Sequence, residues 1–302
     1  MNATETSNHQ RIAITGAGGY LGKNLCRYFK DRGAIVFQLT SNPARADQSM
    51  PSATFAFPAG ADKNFFAQNE INTLVHAAYD FTARTQATIW AGNVQGSINL
   101  FQQANQEGVK RIIFISSMSA YEGSRSLYGQ AKLEIETALR SFDQGCSVRP
   151  GLIYSTPIAE SGGMVGSLLG NVNRGVVPLI GKGDQELYFS HQADLARLID
   201  QLSQNPLPPD QKPFTAANPR PYTFREIIQL LATVHGNKAR LAPVPWRLVW
   251  GGLKLLEGAG VNTAFRSDSV LSLIHQNPSP DFSALPDGFV FRDFAATIRD
   301  ES

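Results

Sequence analysis

Tyr128 and Lys132 stand four residues apart in Leu127-Tyr128-Gly129-Gln130-Ala131-Lys132, just downstream of Ser116 and Ser117. On a helix, positions i and i+4 share a face, so a phenol and an ammonium reach one point from consecutive turns. A cation beside a phenol stabilises phenolate and lowers the tyrosine pKa from its reference of about 10. A tyrosine tuned in this way exchanges a proton with a carbonyl or hydroxyl while hydride moves elsewhere. The spacing alone is common, and alone it describes a surface lysine beside a half-buried tyrosine. Its meaning comes from the elements around it.

Arg11-Ile12-Ala13-Ile14-Thr15 is a short β-type run that ends in Gly16-Ala17-Gly18-Gly19-Tyr20-Leu21-Gly22. Lys23 to Arg32 follows with helical spacing of Leu25, Tyr28 and Phe29, and Gly33 closes it. Strand, glycine turn and helix are the context that a phosphate-binding glycine motif requires. Gly16 and Gly19 let backbone N–H groups approach a pyrophosphate at the helix N-terminus, and Gly22 permits close helix–strand packing.

Short apolar runs alternate with helical stretches up to Ala120: Ile12–Thr15, Ile35–Leu39, Thr54–Phe57, Thr73–His76 and Ile112–Ser116. This pattern predicts βαβ units and a parallel sheet. Cys146 to Tyr154 reads as a sixth strand and Phe214 to Ala217 as a short seventh. The chain is long enough for one large domain and a smaller lobe. The expected organisation is a dinucleotide-binding domain over 1–154, completed by about 188–218, with a discontinuous substrate lobe over 155–187 and 219–302.

Together these segments resemble the extended short-chain dehydrogenase/reductase superfamily, in its NAD-dependent epimerase/dehydratase family. Gly16, Gly19, Gly22, Ser117, Tyr128 and Lys132 carry the resemblance first. Ile71–Ala78 resembles the fourth strand with its H-x-A turn, and Asn93–Leu100 the N-V-x-G-T-x-N-L helix. Ile113–Ser117 resembles the strand that presents the active-site serine. Val148-Arg149-Pro150-Gly151 resembles the R-P-G turn, and Phe189–Ala196 the V-D-D-L-A segment. The likeness runs from Arg11 to about Asn218. It implies an α/β fold, a Rossmann doubly wound parallel sheet with a smaller C-terminal substrate lobe. It also implies an NAD(P)-dependent enzyme.

In that family Ser117 would hydrogen-bond the reacting oxygen, Tyr128 would exchange its proton, and Lys132 would hold the nicotinamide ribose. Ser117 is chosen over Ser116 because it lies four residues before Tyr121, whose V-Y-G-like turn is structural in the family. The cofactor is expected against Gly16, Gly19, Tyr20, Leu21 and Gly22, and then against Thr40, Ser41, Asn42 and Arg45. His76, Ala77, Ala78, Asn93, Ser116, Pro150, Tyr128 and Lys132 complete the expected cofactor site. NAD-preferring relatives carry an Asp at the end of the second strand. Thr40-Ser41-Asn42 offers none, and Arg45 could pair with a 2′-phosphate, so the sequence leans to NADP over NAD. Met118-Ser119 after Ser117, where 4,6-dehydratases have Asp-Glu, argues against dehydration.

The expected substrate is a carbohydrate, reduced or epimerised at a carbinol carbon and linked to a nucleotide, with Ser117, Tyr128, Arg149 and Arg266 at the site. Against this, Leu187 occupies the place of an arginine that clamps the diphosphate in relatives. A smaller non-sugar carbonyl compound, or a non-catalytic NAD(P)-binding sensor or assembly protein, are the alternatives. The latter kind commonly loses the tyrosine or lysine, and both are present here.

The charge balance, Lys+Arg 27 against Asp+Glu 25, carries no basic field for nucleic acid. Cys26 and Cys146 form no disulfide framework. His9, His76, His191, His235 and His275 are scattered without a ligand pattern, so no metal site is expected. Met1 to Gln10 lacks an apolar signal segment, and Trp246 to Leu256 is too short to span a bilayer. A cytoplasmic address follows, with a homodimer left open. Trp246, Leu248, Val249, Trp250, Leu253 and Leu256 predict an amphipathic helix, read as core packing in preference to membrane contact.

Overall fold

In β1 (Arg11–Thr15), Ile12 and Ile14 favour extended backbone, and every residue from Ile12 to Thr15 is buried. Burial of both faces places a strand inside a parallel sheet. The computed structural model describes residues 10–301 except 209, 211, 235, 237–239, 262 and 264. After β1 come α1 (Tyr20–Asp31), β2 (Ile35–Thr40), β3 (Ser52–Ala56), β4 (Gly60–Ala61), α2 (Phe65–Gln68) and β5 (Thr73–His76). Next are α3 (Gln86–Ile89), α4 (Gln95–Gln106) and β6 (Arg111–Ile115), with a π-helical turn at Trp90–Val94 joining α3 to α4. Ile12 stands opposite Val36 on one side and Thr73 on the other, both in parallel register.

The chain continues through α5 (Leu127–Leu139), β7 (Gly145–Pro150), β8 (Leu152–Tyr154), α6 (Gly163–Asn173), β9 (Val176–Ile180), β10 (Glu186–Leu187) and β11 (Phe189–His191). It ends with α7 (Gln192–Gln204), β12 (Phe214–Ala216), β13 (Tyr222–Thr223), α8 (Phe224–Val234), β14 (Arg240–Val244), α9 (Trp246–Gly258), α10 (Ser267–Ile274) and α11 (Phe294–Arg299). Among the described residues, the main sheet has the order β12-β7-β6-β5-β1-β2-β3-β4. Smaller two-stranded sheets are β10-β13, β11-β8 and β14-β9. This is the expected Rossmann-type α/β architecture with small C-terminal sheets.

Two boundaries differ from the sequence reading. The helix after the glycines begins at Tyr20, because Gly19 is its N-cap, so Tyr20, Leu21 and Gly22 form its first turn. The run Cys146 to Tyr154 is two strands. It breaks at Gly151, whose N–H donates to Ser190 Oγ at 2.9 Å. Beyond the break, β8 pairs with β11 in a separate sheet.

Contacts divide the chain into two units. The first comprises Met1–Ile115, Thr137–Ser147 and Ile199–Gln211, with its core around the strands β1, β2, β5 and β6. The second comprises Ser116–Glu136, Val148–Leu198 and Lys212–Ser302. Its apolar core includes Tyr154, Phe189, Tyr222 and Phe294, with Phe189 and Phe294 stacked at 3.7 Å.

Candidate active site

α5 carries Tyr128 and Lys132, and its first turn is anchored from two directions. Asp268, in the first turn of α10, accepts hydrogen bonds from the N–H groups of Leu127 (2.7 Å) and Tyr128 (3.1 Å). Ser126 Oγ accepts from the Gly129 N–H at 3.1 Å. Helix N-termini expose unpaired amides and favour negative charge, so a carboxylate here fixes both the start and the direction of the helix. Gly129 permits the close approach that follows. A Cβ there would lie 2.2 Å from the Ser119 carbonyl oxygen and from Ser124 Oγ. Any larger residue would push α5 away from the loop that carries Ser117.

Ser117 hydrogen-bonds the Tyr128 hydroxyl. Lys132 Nζ lies 5.8 Å from the centroid of the Tyr128 ring. One turn further on, Glu136 is 1 % exposed and receives both arms of the Arg149 guanidinium, Nε at 2.8 Å and Nη2 at 2.5 Å. Phenol, ammonium, carboxylate and guanidinium thus follow one another along α5 and onto β7. All four belong to the second unit.

The electrostatics correct one expectation. Desolvation by burial pushes the Tyr128 phenol up to about 12, with the Ser117 hydrogen bond acting in the opposite direction. Burial also brings the Lys132 ammonium down to about 7, against the raising effect of Glu136. Burial dominates the phenol's pKa over any effect of Lys132, because a low-dielectric site disfavours the charged form of both groups. The phenol is protonated at neutral pH, while the lysine is poised between charged and neutral.

A cavity of about 90 Å³ opens beside Ser117. Ser117, Met118, Ser119, Pro150, Gly151, Leu152, Met164, Leu187, Tyr188, Ser272, Leu273 and Gln276 line it, and no residue in that lining is charged. Leu187, at the position where an arginine would clamp a diphosphate, is 4 % exposed and is part of this wall. Arg149, expected to face substrate, is instead engaged by Glu136. Arg266, the other expected clamp, precedes α10 and places its charge near the Glu257 carboxylate. Ser116 is buried beside Ser117, and its Oγ has no hydrogen-bond partner among the described residues. Tyr121 is structural as expected, its hydroxyl donating to the His275 carbonyl at 3.0 Å.

In the first unit, β1 delivers the chain to the glycine turn. The Gly19 N–H donates to Gly16 O at 2.9 Å, and no side chain caps α1. A Cβ on Gly22 would lie 2.1 Å from the Gly16 carbonyl oxygen, so only glycine lets α1 sit this close to the turn. The first turn of α1 holds no acidic residue. An uncapped, unshielded helix N-terminus behind a tight turn fits a pyrophosphate. Thr40 ends β2, and Ser41 and Asn42 are exposed beyond it. The Arg45 side chain lies outside the described residues.

Two residues expected at the cofactor have fully buried side chains. His76 is fully buried, with Nδ1 2.7 Å from Thr15 Oγ1 and Nε2 2.9 Å from Ser97 Oγ. Thr15 Oγ1 already accepts from the Ala77 and Ala78 N–H groups, each at 3.1 Å, so its own proton goes to Nδ1. Ser97 donates to the Asn93 carbonyl at 2.6 Å, which leaves its oxygen to accept from Nε2–H. The Asn93 side chain clamps the backbone of Asp80, accepting from its N–H at 2.6 Å and donating to its carbonyl at 3.1 Å. Both side chains therefore shape the turn after β5 from within, and the Ala77 and Ala78 amides are tied to Thr15. Thr15, Glu136 and the capping role of Asp268 were missed by sequence reasoning. Of these, Glu136 had a signal, standing four residues after Lys132 on the same helical face.

Among the described residues no group of three or more His, Cys, Asp and Glu is placed to hold a metal, and no helix is long and apolar enough to cross a membrane. His9 and His235 lie outside the described residues.

A glycine turn between a parallel strand and a helix, with Tyr128 and Lys132 on a second helix and Ser117 in the loop before it, defines an extended short-chain dehydrogenase/reductase. The model of the NAD dependent epimerase/dehydratase family matches residues 12–214, and the chain belongs to that family. The chain is 26% identical over 288 residues to the ceramide reductase of Caulobacter vibrioides, covering 92% of this chain and 88% of that protein. It is 26% identical over 163 residues to the UDP-glucose 4-epimerase of Bacillus subtilis, covering 43% of this chain and 47% of that protein. Among solved structures, the UDP-glucose 4-epimerase of Thermotoga maritima with UDP-glucose superimposes with a TM-score of 0.66 at 19% identity, covering 87% of this chain and 97% of that one. At that identity the likeness speaks to the fold.

Proposed function

We propose that the protein is an NAD(P)H-dependent reductase of a carbonyl compound whose groups flanking the reacting carbon are apolar. The carrying observation is the wall of the cavity at Ser117, built from Met118, Pro150, Leu152, Met164, Leu187 and Leu273 with no charged residue. A diphosphate brought into that wall would lose its hydration without gaining a cation. An alkyl or acyl group loses nothing. The match to a ceramide reductase along nearly the whole chain supports this reading.

A reduced nicotinamide dinucleotide supplies hydride to the carbonyl carbon when bound at the glycine turn. Ser117 donates a hydrogen bond to the carbonyl oxygen and orients it. Tyr128, protonated because burial raises its pKa, gives its proton to that oxygen as the C–H bond forms. Reduction needs an acid at this position, and the buried phenol is one. Lys132 stabilises the phenolate left behind, and the Glu136 carboxylate, held by Arg149, favours its charged form. Met118 and Ser119 bring no carboxylate, which disfavours elimination. For the cofactor, the lack of an acid from Thr40 to Asn42 favours NADP(H).

The second reading is a nucleotide-linked sugar, favoured by the partial match to a UDP-glucose 4-epimerase. The deciding experiment is steady-state reduction with NADPH and NADH of medium-chain aliphatic keto compounds beside nucleotide keto-sugars. A higher kcat/KM for the aliphatic set is expected. Preference for the nucleotide sugars, or a Leu187→Arg variant that keeps full activity on the aliphatic set, would overturn it.

A further inference from the structure

We propose that the outward face of α9 docks the protein on an anionic lipid bilayer. α9 contains no fully buried residue. Its inner side, Trp246, Val249, Trp250 and Leu253, packs against the core of the second unit as expected, but Leu248 and Leu256, expected on the same face, do not. Its other side does not pack. Leu248 is 70% exposed, Leu255 79% and Leu256 43%, and Val261 just beyond the helix is 44% exposed.

Leu248 and Leu255 are seven residues apart, so they stand two turns apart on one stripe. Arg247 and Lys254 repeat the same interval on the adjacent stripe, and both are exposed. The one acidic residue of the helix, Glu257, accepts from the N–H and hydroxyl of Ser267 at 2.8 and 2.7 Å, and it also lies within electrostatic reach of Lys254. A leucine ridge bordered by exposed cations, with no carboxylate on the ridge itself, is the pattern of a helix lying in the plane of a membrane interface. The 13-residue helix is too short to cross one.

Charge selects this occupant over a second copy of the chain. A two-fold interface on this face would bring two more cations of the second copy to Arg247 and Lys254 and, in return, only Glu257, a carboxylate already held by Ser267. Anionic headgroups answer both charges. The position also has a use if the substrate is apolar, as proposed above, since α10 follows α9 and contributes Ser272 and Leu273 to the cavity wall. Docking there would bring an acyl substrate from the bilayer towards that wall.

The test is flotation of the full chain with phosphatidylglycerol/phosphatidylcholine vesicles and with phosphatidylcholine vesicles, without substrate or cofactor. Wild type is expected to float with the anionic vesicles, more weakly at high salt, and little with the neutral ones. Leu248→Glu with Leu255→Glu, and separately Arg247→Gln with Lys254→Gln, should each reduce binding about tenfold or more. Their unfolding temperatures and their turnover of a short, water-soluble ketone should match wild type, because all four side chains are solvent-facing. No flotation of wild type, equal binding to neutral vesicles, or unchanged binding by both double variants would overturn the proposal. So would a wild-type dimer that Leu255→Glu converts to monomer without any change in flotation. Because binding is read without turnover, loss of this inference and loss of the apolar-substrate reading are separate results.

Discussion

Thr15, His76, Ser97 and Asn93 in the first unit pass hydrogen bonds along a buried line in which each neutral donor meets one acceptor. Ser117, Tyr128, Lys132, Glu136 and Arg149 in the second unit also form a buried polar line, but it alternates phenol, cation, anion and cation. The neutral line sits among Phe55, Phe57, Phe101 and Phe114, and it fixes the turn after β5. The charged line borders the cavity, and two of its members titrate far from their ordinary values. A buried network whose hydrogen bonds are all matched holds shape. One whose charges are only partly compensated stores a readiness to move protons, which is why perturbed groups gather at reactive sites.

The comparison breaks most directly at Tyr128. Tyr128→Phe removes the one proton that the reaction needs and leaves the ring in place. Turnover should fall by roughly 10²–10⁴-fold, the scale of a positioned acid, with the unfolding temperature little changed. Steady-state kinetics beside thermal unfolding would show both. Near-normal turnover would remove the chemical half of the contrast.

Glu136→Gln tests whether the charged line depends on its anion. Arg149, 16% exposed, would lose its carboxylate, and Lys132 would lose the group that raises its pKa. Breaking one side of a buried pair costs about 3–5 kcal/mol. Denaturant unfolding should show a loss of that order. The pH–rate limb that reports Lys132 should move to lower pH, because Glu136 acts to raise it. A purely structural Glu136 would cost stability and leave the pH profile where it was.

The two lines were unequally legible in the sequence. Tyr128, Lys132 and Ser117, which the fold brings together, could be read as a group because chemistry fixes their types and helix geometry fixes their spacing. The sheet was visible in its alternating apolar runs for the same kind of reason. That the His76 and Asn93 side chains turn inward could not be read, because a motif records which residues recur and not which way they point. Their direction depends on Thr15 and Ser97, 61 and 21 residues from His76. Asp268 lies 141 residues from the amide it caps, beyond any local pattern. Leu187 was the informative departure. The missing arginine was seen, but only the fold shows that its replacement joins an apolar wall.

Lys132→Met sharpens the contrast through pH. Lys132 titrates at about 7 in the folded protein against its ordinary 10.5. Between those values the unfolded chain binds more protons than the folded one, so stability rises with pH across that window. Removing the lysine should flatten that rise, worth on the order of a few kcal/mol. Unfolding midpoints from pH 6.5 to 9.5 cover most of the window and stay below the range in which Tyr128 begins to matter. An equally steep rise in the variant would mean that Lys132 is not the group responsible.

Thr15→Val is the smallest change and the matching control on the neutral line. Valine keeps the shape but leaves the Ala77 and Ala78 amides without their acceptor and His76 Nδ1 without its donor. Each buried polar group left unmet costs about 1–3 kcal/mol, reduced where the turn relaxes to let water reach it. The loss should therefore total a few kcal/mol at most. No charge enters or leaves this line, so the loss should be the same at pH 6.5 and pH 9.5, where the effect of Lys132→Met differs. Turnover of a bound carbonyl should stay within a few-fold of wild type, while cofactor affinity falls modestly as the turn after β5 loosens. A loss of stability that grew with pH would mean that the neutral line carries a titrating group, and the division between a line that holds shape and a line that moves protons would fail.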